Sequence, residues 1–114
     1  CEQELKNLML RLRQTYIDNS SKPKVLSSTM TKSYFVFLNG LDVLAELSTG
    51  NVYRQDDEII NACEELGLNM APLKRLKQLR AGLIFDSTDE QKTTYEELMA
   101  TVRQAASMAD KLES

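Results

Sequence analysis

The amino-acid sequence predicts an all-α protein: a four- to five-helix bundle with three long helices and a short helix-turn-helix-like pair, forming one domain over residues 1–114. Three observations carry that expectation. Apolar residues recur at steps of three and four through most of the chain, which places them on one side of a helix. Only four Gly and two Pro punctuate the 114 residues, too few for the closely spaced turns of a β-sandwich. A composition of 42% hydrophobic and 27% charged residues matches a chain able to bury one core.

The first helix is expected over residues 2–17, with Leu5, Leu8, Met9, Leu12 and Tyr16 on its inner face. Residues 18–21 interrupt it. Ser21 then reads as the N-cap of a second helix whose first turn holds Pro23, where a missing N–H costs nothing. Leu26, Met30, Tyr34, Phe37, Leu41 and Leu44 carry that helix to about residue 48, and Gly50 is placed to close it. Phe35, Val36, Leu38, Val43 and Leu47 widen the apolar stripe beyond one face, so this helix is expected at the centre of the molecule. The competing reading is a strand over residues 33–38 that turns at Asn39 and Gly40, because Asn-Gly after aromatic and β-branched residues is a hairpin signal. The residues after Gly40 do not alternate, which favours the helix.

A third helix is expected over residues 53–66, with Ile59, Ile60, Cys63 and Leu66 inward. Asp56, Asp57 and Glu58 lie near its start, where carboxylates favour the positive end of the helix dipole. Gly67 stops it, and Leu68 is placed for the hydrophobic contact across a glycine C-cap. The fourth helix follows from Asn69 as N-cap, with Pro72 in its first turn and Leu73, Leu76, Leu79 and Leu83 toward the core. Ser87 and Glu90 have capping-box spacing and open the fifth helix. Its seam of Tyr95, Leu98, Val102, Ala105, Ala109 and Leu112 calls for a long neighbour lying nearly parallel or antiparallel, with the two alanines permitting close approach.

Composition also excludes chemistry. The formal net charge of −3 lacks the overall basic excess of a generic nucleic-acid binder. The longest stretch without a charge, residues 33–41, is nine residues, far short of the roughly twenty that a membrane span requires, so no transmembrane segment is expected. With no His, Ser-His-Asp and Cys-His arrangements are excluded, and the scattered glycines form no phosphate-cradling loop. The adjacent carboxylates Asp56 and Asp57, Glu64 and Glu65, and Glu96 and Glu97 do not face one another on a helix, which makes them solvated surface rather than ligands. No catalytic residue, metal site or cofactor is expected. Two cysteines, Cys1 and Cys63, are too few for a disulfide scaffold and read as cytoplasmic thiols. The alternative for Cys1 is the lipid-bearing residue of a bacterial lipoprotein acting at a membrane surface.

Residues 58–82 resemble a helix-turn-helix DNA-binding unit. Cys63 fills the small-residue position of the first helix, Gly67 the turn glycine between Leu66 and Leu68, and Leu73 and Leu76 the apolar positions of the second. The resemblance implies a groove-entering helix carrying Asn69, Lys74, Arg75, Lys77, Gln78 and Arg80, with cations on phosphates and Asn69, Gln78 or an Arg on base edges. Pro72 stands early in that helix, and the capping box at Ser87 leaves no room for a wing. The alternative is a plain helix hairpin whose basic face is solvated or paired internally. Acidic partners are at hand: residues 51–67 hold one Arg against five carboxylates, and residues 86–114 hold three basic against seven acidic side chains.

The functional expectation is therefore a non-catalytic helical module that binds another protein, or another copy of itself, through a helix face. Phe35, Val36 and Leu47 on the second helix are the candidate contacts, since that helix has more apolar surface than one small bundle requires. The alternative is a DNA-binding regulator acting through the fourth helix.

Overall fold

Periodic apolar residues become helices wherever a neighbour can cover them, and the chain finds five such segments. The computed structural model describes residues 2–113 and contains α1 (Glu2–Asn19), α2 (Pro23–Thr49), α3 (Asp56–Glu65), α4 (Ala71–Arg80) and α5 (Thr88–Glu113). The described residues include no strand. Residues 33–41 lie inside α2, so the helical reading of the Asn39-Gly40 region holds. Cys1 lies outside the described residues, and with it the question of a lipid anchor.

The helix ends differ from expectation in instructive ways. The helix α1 runs to Asn19 because the Asn19 amide donates to the Thr15 carbonyl and Lys22 N–H closes the turn onto the Asn19 carbonyl. Ser21 is not the cap of α2. Lys22 holds that position without a side-chain bond, and Pro23 at the first turn leaves one fewer N–H to satisfy. At the other end Gly50 takes a left-handed conformation, φ 77°, and its N–H returns to the Glu46 carbonyl. The helix α3 starts three residues later than its pattern allowed, because Gln55 is extended and only its carbonyl begins the helical bonding, to Glu58 and Ile59 N–H.

Gly67, with φ 97°, closes α3 in a Schellman arrangement in which Leu68 N–H donates to Cys63 O and Gly67 N–H to Glu64 O. Asn69 does not occupy the cap of α4; Met70 does, fully buried, while the Asn69 side-chain oxygen accepts from Ala71 N–H at 3.1 Å. Gly82 then turns the chain away, so Leu83 leaves the face of α4 and is 54% exposed instead of joining the core. Half of the expected capping box forms. Ser87 Oγ accepts from Glu90 N–H, but the Glu90 carboxylate accepts from Asp86 N–H rather than from Ser87.

The three long helices α1, α2 and α5 pack on one another, α3 packs on α2, and α4 packs on both α2 and α5. A radius of gyration of 13.7 Å is that of a compact domain of this length. Side-chain bonds give the directions. Gln91 near the start of α5 donates to Pro23 O and Ser27 Oγ near the start of α2, so these two helices run the same way. Tyr95 donates its hydroxyl to the Leu12 carbonyl at 2.6 Å and stacks on Tyr16, while Lys6 and Asp110 share a groove, so α1 runs antiparallel to α5. Tyr95, Leu98, Val102, Ala105 and Ala109 are all fully buried along this seam, and Leu112 beyond it is 46% exposed.

Leu5 of α1 packs directly on the bare backbone of α2 at Gly40, where a Cβ atom would meet Leu5 Cδ2 at 2.8 Å. A larger side chain there must displace a buried leucine. Gly40→Leu is expected to cost about 1–3 kcal/mol in urea unfolding. Leu5→Ala in the Gly40→Leu background should cost less than the sum of the single changes; strict additivity would show that the two positions do not share this space.

Burial, and for Tyr34 a 3.0 Å hydrogen bond to Asp56, pushes the phenols of Tyr34 and Tyr95 up from near 10 to about 12. Their neutral forms are therefore favoured in the folded state. That stability is intact below pH 10 and is lost as pH rises toward about 12. Urea midpoints taken across this window should fall steeply for the natural sequence and less steeply for the Tyr34→Phe, Tyr95→Phe double variant. Equal slopes would assign the alkaline loss to other groups.

Candidate interaction surface

Reactive chemistry is sparse in the fold. Among the described residues no three His, Cys, Asp or Glu side chains gather as a metal site would require. Cys63 is buried with its Sγ 3.9 Å from the Leu41 carbonyl, and burial raises its thiol to about 11, so it stays protonated near neutral pH.

The cations of α4 are engaged inside the molecule. Lys74 pairs with Glu64, and Lys77 with Asp57 at 2.5 Å, so ion pairs tie α4 to α3 at two levels as an antiparallel hairpin. Arg75 is the most connected. One of its guanidinium nitrogens donates to Glu90 at 2.6 Å and to the Ile84 carbonyl at 3.1 Å, another donates to Gln78, and the group lies 5.3 Å from the Phe85 ring centroid. It thereby holds the α4–α5 connection against the start of α5. Arg80 stacks over Phe35 at 4.1 Å and reaches the Tyr34 ring at 5.5 Å. Asn69 is committed to its own turn, accepting from Ala71 N–H, while its carbonyl accepts from Thr101. The six residues singled out on and beside α4 thus lie along one segment, but their polar groups are directed largely at α2, α3, α5 and one another.

On α2 the three expected contact residues divide. Val36 is 37% and Leu47 51% exposed, and they share a helical stripe with Val43 at 42%. Phe35, 50% exposed, points about 100° away and lies beneath Arg80. The chain matches no protein-family model, no curated protein and no solved structure.

Sequence reasoning missed Leu10, which is 61% exposed on α1. It stands on a crest between two grooves. One groove, between α1 and α2, is bordered by Val36, Arg11, Asn7 and Glu4; the other, between α1 and α5, is bordered by Met9, Ala106 and Asp110. Its signal was present, because Leu10 falls off the Leu5, Leu8, Leu12 face, and an apolar residue off the core face is the one to inspect.

If Arg75 serves mainly to hold the loop, Arg75→Ala should lower stability by about 1–2 kcal/mol, a charged hydrogen-bond value reduced for partial exposure. Amide hydrogen exchange should also quicken over residues 82–88. Unchanged exchange there would remove the structural role.

Proposed function

We propose that this chain is a non-catalytic helical bundle that recognises another protein through the outer face of α2. The observation that carries this reading is the run of Val36, Val43 and Leu47 along one face, extended across to α1 by Leu10, which borders the same groove as Val36. Four exposed apolar side chains so arranged contribute little to the core, whereas burying each against a partner is worth roughly 1–2 kcal/mol. The absence of His from the sequence and the burial of Cys63 favour binding over catalysis. A second copy of the chain is a partner of the same class.

Duplex DNA recognition by α4 has weaker support. It needs Lys74, Arg75, Lys77 and Arg80 to leave Glu64, Glu90, Asp57 and Phe35. Phosphate neutralisation would show as binding to a mixed duplex pool that falls steeply between two salt concentrations.

The interaction surface is tested by placing a photo-crosslinking side chain at Val36, Val43 or Leu47 in cells expressing the protein, with Thr93 and Ala100 on α5 as exposed controls. The three α2 positions should yield a common adduct that the controls do not. Leu47→Asp should reduce that adduct while changing stability by no more than about 0.5 kcal/mol. Adducts formed equally from all five positions would overturn the assignment.

A further inference from the structure

The grooves on either side of Arg11 form one channel. A hollow of about 300 Å³ floored by Leu8 and Leu12 meets one of about 530 Å³ beside Leu10, and Arg11 and Val36 border both. Along α1 the channel runs from Glu4 to Thr15, eleven residues or about 16 Å, which is three turns of helix. Leu8 and Leu12 are closed beneath it, while Leu10 and Val36 remain open to contact.

The rims of this channel are positively charged. Arg11 stands on the α1 rim and Lys32 on the α2 rim, both exposed. Among the described residues neither has an ion-pair partner, in contrast to Lys74, Arg75 and Lys77. No carboxylate borders the hollow between Arg11 and Lys32, and Glu4 is the single acidic side chain along the channel, at its far end. This is a positive, apolar-floored cleft on a molecule whose net charge is −3.

We infer that the α1–α2 channel is the docking site for an acidic amphipathic helix of a partner protein. Its apolar residues, at i, i+3 or i+4, and i+7, seat on Leu10 and Val36, and its carboxylates on either flank meet Arg11 and Lys32. The inference rests on the interaction-module reading above and names its partner chemistry. Nucleic acid fits less well, since phosphates make no use of an apolar floor. A flat anionic membrane would touch the crest at Leu10 and miss the hollow.

The test uses the full chain, labelled with nitrogen-15, and a synthetic sixteen-residue helix with a leucine stripe flanked by Glu. Two isosteric probes, flanked by Gln and by Lys, accompany it. The Glu-flanked probe should shift the amides of Arg11, Thr29, Ser33 and Val36 and bind at least ten-fold more tightly than the Gln-flanked one, with affinity falling as salt rises. Combining Arg11→Glu with Lys32→Glu should weaken the Glu-flanked probe at least ten-fold and improve the Lys-flanked probe. Because both side chains are exposed and unpaired, the thermal midpoint should hold. Should the reversal variant fold poorly, Arg11→Gln with Lys32→Gln serves, with a smaller loss expected.

The inference is overturned if no groove amide shifts at millimolar probe, or if Gln- and Glu-flanked probes bind alike. It is overturned equally if shifts map to α4, or if the reversal instead abolishes self-association or binding to phosphatidylglycerol vesicles. A silent probe alongside specific crosslinks from Val36, Val43 and Leu47 removes only this inference. Loss of those crosslinks with a binding probe removes the α2 surface and leaves the channel.

Discussion

Burial of α2 is the constraint on which the rest of the structure depends. Every other helix contacts it, and its inward side chains from Leu26 to Ala45 occupy the middle of one continuous hydrophobic cluster. Each of the large ones contributes roughly 1.5–3 kcal/mol by leaving water. A helix approached from so many directions cannot be amphipathic in the simple sense, which is why its apolar residues spread beyond one stripe. Small residues then decide how close each neighbour comes. Gly40 admits Leu5 of α1, and Ala105 and Ala109 are fully buried along the α5 seam.

Buried or half-buried polar groups fix how the remaining elements sit on that core. The Tyr95 hydroxyl on Leu12 O sets the register of α5 against α1, and Gln91 ties the starts of α5 and α2. Thr101 reaches from α5 to the Asn69 carbonyl and, at the surface, Gln104 to the Gly67 carbonyl, which anchors the connection between α3 and α4. Arg75 does the same for the connection between α4 and α5. A basic segment that holds two loops and a helix hairpin has few charges left to offer a ligand, whereas Arg11 and Lys32, on the rims of the α1–α2 channel, are among the cations without an ion pair among the described residues.

Much of the core was legible in the sequence, because helical periodicity reports a property of one element and its immediate environment. Leu5, Leu8 and Leu12, the stripe of α2, and Tyr95 through Ala109 are all buried as their spacing implied. Helix ends were less legible. Ser21 and Asn69 have the chemistry of caps but stand one residue too early, since the Pro that follows each and the burial of Met70 set the true start. Leu83 continued the pattern of α4 past the point where Gly82 diverts the chain. The conformations of Pro and Gly, and for α4 the burial of Met70, outweighed the capping chemistry and the apolar pattern.

By itself the sequence determined that the chain would be helical, most of the residues that its long helices bury, and that His-dependent chemistry was out of reach. These follow from spacing and composition, which are properties of neighbours along the chain. Only the tertiary structure decided which charges are spent. It paired Lys74, Arg75 and Lys77 with carboxylates up to twenty residues away, laid Arg80 over Phe35, and left Arg11 and Lys32 beside a hollow with no ion-pair partner among the described residues. Ion pairing depends on distance through space, and that distance is set when the helices pack.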